Sequence, residues 1–271
     1  MPGTETPWRT SEVDDNRQIA FPIEAPDEIV VSYSALRLFE ECPTRYWNSH
    51  GKGYPEKIRS GLVSAGSGLH RALAALGRAT LEGTRLPPLA EVLNNNWPEA
   101  GFPSSDESDV WFQRCLAALE QIEFPAFFAG LMAVEVPFRV GIQHELTTAV
   151  FTGRIDRMDR AESGGIRIVE YKTFATPAAS EQLAESTQTV IYWSVAQRIT
   201  GKHTERMRYC YLEAATAVDV KLGDRDLADS AARLVEAAKR MAYAESLPPT
   251  PGLYCRDCPL LMSCKARGVL K

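Results

Sequence analysis

Glu170 and Lys172, in the run IRIVEYK, stand two residues apart. On a strand that spacing projects both side chains from one face and Tyr171 from the other. Upstream, GRIDRMD supplies Asp156 and Asp159, and the intervening RAESGG offers a turn. A hairpin centred on Ser163 sets Asp156 across from Glu170, whereas a tight turn at Gly164–Gly165 sets Asp159 there. Both registers remain open at this level. In either, two carboxylates converge beside a lysine. Facing acids repel, and a hard divalent cation such as Mg²⁺ or Mn²⁺ relieves the repulsion. The lysine can orient or deprotonate a water, or steady charge building on a phosphate. These are the parts needed for metal-assisted phosphodiester hydrolysis. The competing reading is a surface hairpin with ordinary cross-strand ion pairs.

A second group is formed by four cysteines. Cys42 lies in FEECPTRYW, while Cys255, Cys258 and Cys264 lie in LYCRDCPLLMSCKA, spaced C-x2-C-x5-C. That spacing lets one loop and a helix start point three thiolates at a common centre, with Cys42 as the natural fourth donor. In a reducing compartment clustered cysteines favour a metal over disulfides. Zinc and a [4Fe–4S] cluster both accept four thiolates, so spacing does not separate them. Cys115 and Cys210 stand in apolar runs and read as buried structural residues.

The elements that must position these groups follow from periodicity. A short strand at Glu28–Val31 precedes a helix, capped by Ser32 or Ser34, that runs to about Trp47 with Leu36, Phe39 and Tyr46 inward. Cys42 falls within it, and Pro43 is expected to kink it there. A helix from Ser67 to Leu81 carries His70. Others cover Leu89–Asn95 and Ser108–Gly130. MAVEVPFRV, ELTTAVFTGRIDRMD and IRIVEYKTF read as strands. A helix over Ser180–Ile199, a strand RMRYCYLE and a helix over Asp224–Glu245 follow, and PPTPG ends the last. The class is α/β (α+β), a central mixed sheet flanked by helices.

The formal net charge is −5. Residues 1–28 carry seven acids, Glu5, Glu12, Asp14, Asp15, Glu24, Asp27 and Glu28, against Arg9 and Arg17, so this segment accounts for the whole −5. It reads as an acidic, largely disordered tail ahead of one domain over 29–271. Net charge is therefore silent on nucleic acid. No apolar run spans a bilayer and no signal pattern opens the chain, so the expected location is cytoplasmic. A Walker A pattern is also missing, which excludes an ATP-driven helicase on this chain.

Several of these runs, in order, resemble the PD-(D/E)XK nuclease superfamily in its RecB-like branch, which holds CRISPR-associated exonucleases and AddB-type helicase-nucleases. The matching positions are SYSALRLFEECPTRYW, G-x-x-x-H at Gly66–His70, G-x-x-D at Gly153–Asp156, E-x-K at Glu170–Lys172 and Q-x-x-x-Y at Gln188–Tyr192. The resemblance covers residues 30–266 and departs at Ile155, where the superfamily name has proline. It implies a restriction-endonuclease-like core and selects Asp156 over Asp159. It also implies that His70, Asp156, Glu170 and the Tyr171 carbonyl hold a divalent cation, with the imidazole favouring Mn²⁺ over Mg²⁺. Lys172 would position water, and Gln188 and Tyr192 would grip or frame DNA. Cys42, Cys255, Cys258 and Cys264 would hold [4Fe–4S] in preference to zinc, clipping the N- and C-terminal segments together. The implied activity is a DNA exonuclease acting on a free end or single strand, in repair, recombination or CRISPR spacer acquisition. A CRISPR integrase or helicase complex is the expected protein partner. The rival is a DNA-end-binding adaptor subunit whose nuclease works only within such a complex.

Overall fold

The computed structural model describes residues 28–50, 61–244, 247–252, 255, 258 and 260–266. The acidic tail expected at the N-terminus lies outside the described residues, apart from Glu28. Chain order begins with β1 (Glu28–Ser32), α1 (Tyr33–Glu41), α2 (Pro43–His50), α3 (Gly61–Leu81), α4 (Leu89–Asn95), α5 (Ser105–Glu120) and α6 (Phe124–Phe127). It continues with β2 (Leu131–His144), β3 (Thr147–Arg160), β4 (Ile166–Lys172), α7 (Ser180–Ala184) and α8 (Thr187–Thr200). The remainder is β5 (Thr204–Tyr211), β6 (Thr216–Val220), α9 (Asp224–Ala242) and α10 (Leu261–Ala266).

Local chemistry explains where helices break. Ser32 accepts the Ala35 N–H at 3.2 Å and starts α1. Cys42 leaves the helix at φ −161° and ψ 106°, because a residue before proline is pushed out of the helical region. Pro43 then opens α2, where a missing N–H is harmless. The single kinked helix expected here is therefore two, meeting at Cys42. The expected Ser108–Gly130 helix also divides: Ser104 caps α5 three residues earlier, and α6 is a separate short turn containing Pro125. Likewise Ser186 accepts the Thr189 N–H at 3.2 Å and starts α8 afresh after α7. β6 escaped detection because TAVDV is short and mostly exposed.

β3 organises the sheet. β2 runs antiparallel along its whole length, from His144 opposite Thr147 to Leu131 opposite Asp159. Its other side is shared. β1 pairs parallel with Thr148–Thr152, and β4 pairs antiparallel with 157–160. Between those two neighbours, residues 153–156 of β3 have no strand partner on that side among the described residues. The gap is where β1 and β4 diverge. β5 continues the sheet parallel to β4, and β6 closes it antiparallel.

Helices cover both faces. Ile166 and Ile168 of β4 pack in a core with Val190, Ile191 and Trp193 of α8 and Leu234, Val235 and Ala238 of α9. Val169 and Tyr171 face the opposite core with Leu69, Leu73 and Leu76 of α3 and Leu119 of α5. Alternation along one strand thus feeds two layers. Cys115 and Cys210 are buried in the second core, as their apolar runs suggested.

Candidate active site

The β3–β4 hairpin adopts the register centred on Ser163: Arg157 opposes Val169 and Asp159 opposes Arg167. One residue further, Asp156 stands across from Glu170, where the ladder has ended. The Tyr171 N–H donates to Asp156 Oδ2 at 2.8 Å. Asp159 belongs elsewhere. Fully buried on the opposite side, its Oδ2 accepts from Arg157 at 2.9 Å and from Arg167 at 2.7 Å.

His70 comes from α3. Its Nδ1 lies 3.3 Å from Asp156 Oδ1, and its ring meets Tyr171 edge-on at 5.6 Å. Lys172 Nζ donates to Glu170 Oε1 at 2.9 Å and to Gln188 Oε1 of α8 at 2.8 Å. The Tyr192 hydroxyl donates to the Arg154 carbonyl at 2.9 Å, inside the unpaired stretch of β3. Gln188 and Tyr192 are both buried, so what they frame directly is Lys172 and β3. All of the residues expected at the site on this hairpin, α3 and α8 are brought together.

Gly153 has a steric reason. A Cβ there would sit 2.6 Å from Phe138 Cζ, and Phe138 is itself packed edge-on against Tyr192. Gly153→Ala should push that stack apart, lowering stability by about 1–3 kcal/mol and disturbing the Tyr192–Arg154 contact. Urea unfolding and nuclease assays of the variant check this; unchanged values in both contradict it.

Burial, then the charge of Asp156, pushes the Glu170 carboxyl up to about 7, with Lys172 and His70 opposing. Burial alone would lower the His70 pKa, but Asp156, with Glu170 and Glu135, outweighs it and the net shift is upward. For Asp156 burial is likewise outweighed, by His70, the Tyr171 N–H and Lys172, so its carboxyl lies below the usual range. Glu170 Oε2 is buried without a hydrogen-bond partner. An orphaned anionic oxygen beside a second carboxylate and an imidazole fits a hard or borderline divalent cation. Among the described residues no three His, Cys, Asp or Glu groups close on a single point. Lys172 and His70 instead neutralise the two carboxylates. A cation binding there competes with that ion pairing and with protons.

Glu170 and His70 both hold protons more tightly in the folded chain than unfolded. Their contribution to stability is present at low pH and is lost as pH rises, for Glu170 between 4.5 and about 7. Chelated protein should therefore lose about 3–6 °C of Tm through this site between pH 5 and pH 8. Mn²⁺ should restore it at pH 8, and Glu170→Gln should flatten the slope. A slope identical in wild type and Glu170→Gln contradicts the assignment.

Sequence reading missed three residues around the site. Glu135 lies opposite Asp156, bracketed by the pairs Val134–Arg157 and Val136–Ile155, and adopts φ 52°, a left-handed conformation. Its carboxylate pairs with Arg154 at 2.9 Å. Together with Arg71, these residues line a cleft of about 400 Å³ that also contains Gly66, His70 and Asp156. Arg71 and Arg154 directly follow motif positions His70 and Gly153, the one signal that was available for them.

The four cysteines share one region of the fold. Cys42, Cys255, Cys258 and Cys264 line one small cavity together with Thr44, Pro249 and Leu261. The Thr250 N–H donates to Cys42 Sγ at 3.5 Å and the Gly252 N–H to Cys255 Sγ at 3.3 Å. Sulfurs that accept backbone N–H groups suit thiolate ligands, whose charge such bonds stabilise. As arranged here, the four sulfurs border the cavity without closing on one point.

The PD-(D/E)XK nuclease superfamily model matches residues 30–265. The chain belongs to that superfamily and is a nuclease of the divalent-metal-dependent class. It is similar to the solved structure of SSO0001, at 14% identity over 89% of this chain and 87% of that chain, with a TM-score of 0.43. No curated protein sequence matches the chain. Among the described residues no helix is long and apolar enough to cross a membrane.

Proposed function

We propose that the chain is a RecB-like DNA exonuclease carrying a [4Fe–4S] cluster, acting on DNA with a free end or single-stranded stretch in repair, recombination or CRISPR spacer acquisition. The observation that carries this reading is the meeting of His70, Asp156, Glu170 and Lys172 at the gap in the β3 ladder. His70, Asp156, Glu170 and the Tyr171 carbonyl are the groups that would hold the cation. When bound, Mn²⁺ or Mg²⁺ supplies Lewis acidity to the scissile phosphate and acidifies water. Lys172, released from Glu170, holds the attacking water and offsets negative charge. Gln188 fixes the lysine through its amide oxygen. Tyr192 caps the exposed Arg154 carbonyl and keeps β3 open. The exposed guanidinium groups of Arg71 and Arg154 flank the cleft and suit phosphates on either side of the cut. Cys42, Cys255, Cys258 and Cys264 would hold the cluster as a clip between terminal segments. A CRISPR integrase or helicase complex would supply ends to the enzyme.

Aerobic and anaerobic preparations should be tested on linear end-labelled and circular single-stranded DNA with Mn²⁺. The reading predicts loss of linear DNA only, with activity abolished by chelation. Equal cleavage of the circle contradicts the exonuclease assignment. Inactivity of the isolated chain, reversed by a co-purifying protein, identifies it as a subunit whose nuclease needs its partner.

A further inference from the structure

A second cavity, of about 400 Å³, lies on the face of the sheet away from Lys172 and is unused by the reaction above. Ala118, Ile122 and Ala126 and the ring of Phe127 form an apolar side, while Arg157, Arg167 and Arg208 supply cations. The volume is that of a small-ligand site, about 300–1,000 Å³.

The charge arrangement is unusual. Arg157 is 2% exposed and Asp159 0%. Arg157 and Arg167 both rely on this one carboxylate, and both through Oδ2. Asp159 Oδ1 and Arg157 Nε have no hydrogen-bond partner. Two guanidinium groups over one buried carboxylate leave an excess positive charge, which burial makes unfavourable unless compensated. Phe127 and Phe128 rings beneath Arg157, at 4.5 and 5.4 Å, offset only part of it. Arg208 is different: Asp219 takes it in a two-pronged pair at 2.7 and 2.8 Å and takes Arg206 as well. The acid that lines the cavity, Glu123, is exposed.

We infer that this cavity binds a small organic anion bearing a flat apolar body, of the nucleoside 5′-monophosphate class. The phosphate meets Arg167 and Arg208 and supplies the second negative charge that Arg157 and Arg167, sharing Asp159, lack between them. The base lies along Phe127 and the alanine wall. The site stands on the cavity alone and does not require the nuclease reading, although nucleotides are what such a nuclease releases. Tyr171 touches both places, since its N–H holds Asp156 and its hydroxyl lies 3.3 Å from Arg157 Nη1.

Calorimetry in chelator separates the cavity from a metal-loaded active site. The probes are dAMP, adenosine and inorganic phosphate; the proteins are wild type, Arg208→Ala, Ala217→Phe and Lys172→Ala. Arg208 is part-exposed and Ala217 exposed on β6, so both cavity variants should fold, as circular dichroism verifies. The expected result is dAMP binding that falls at least tenfold in Arg208→Ala and Ala217→Phe and is unchanged in Lys172→Ala. Adenosine and phosphate should each bind at least tenfold more weakly than dAMP. Absence of dAMP binding, equal binding by the folded cavity variants, or phosphate matching dAMP would overturn the inference.

Discussion

Lys172→Ala should slow degradation of end-labelled single-stranded DNA by about 10²–10⁴-fold, with DNA affinity and Mn²⁺ affinity retained. Lys172 Nζ is held between Glu170 Oε1 and Gln188 Oε1 at 2.9 and 2.8 Å, and its side chain remains 27% exposed. It is therefore positioned but reachable by water. Removing it takes a positive charge from beside Glu170, which eases cation entry rather than blocking it. Activity lost with Mn²⁺ binding kept is the signature of a group that handles water or phosphate charge. Activity lost together with metal binding would point to collapse of the β4 strand end. Equal degradation by variant and wild type would remove the catalytic role altogether.

Cys42→Ser should have the largest effect on stability. The proposed clip from Cys42 to Cys255 would close a loop of more than 200 residues, and cross-linking a loop of this order restricts the unfolded chain by about 5 kcal/mol in loop-closure terms. For a domain of this size that corresponds to roughly 10–20 °C in Tm. Visible absorbance of anaerobically purified protein should vanish with the same substitution. Cys115→Ser supplies the contrast, because Cys115 packs inside the second core and donates weakly to the Ala65 carbonyl at 3.7 Å. It should lose stability and keep the absorbance. A colourless wild type containing zinc would keep the clip and change its metal. An unaltered Tm in Cys42→Ser would show that the cysteines join nothing.

Much of this site was readable because its chemistry is local. Glu170 and Lys172 share a strand face by spacing alone, and the strands, α4 and the turn residues follow from composition over short windows. The register between Asp156 and Asp159 was not readable from the hairpin itself, and only the motif resemblance chose Asp156. Turn geometry at Ser163–Gly165 allows two pairings, and in the one adopted Asp159 is buried against Arg157 and Arg167 on the far side. Helix breaks at Cys42 and Ser186 were blurred because apolar periodicity continues across them, whereas a proline and a serine cap act on single backbone positions. Glu135, Arg154 and the arginine-floored cavity depend on which strand lies beside which, a property of topology that no short window carries.

The proposed catalytic site requires His70, Asp156 and Glu170 to share one divalent cation with Lys172 alongside. Crystals of the full chain soaked in Mn²⁺ and measured at the manganese edge test it most directly. One anomalous peak is expected in bonding contact with Asp156, Glu170 and His70, with Lys172 Nζ withdrawn from Glu170 Oε1. A peak elsewhere, or none while the Lys172–Glu170 pair persists at saturating Mn²⁺, would contradict it.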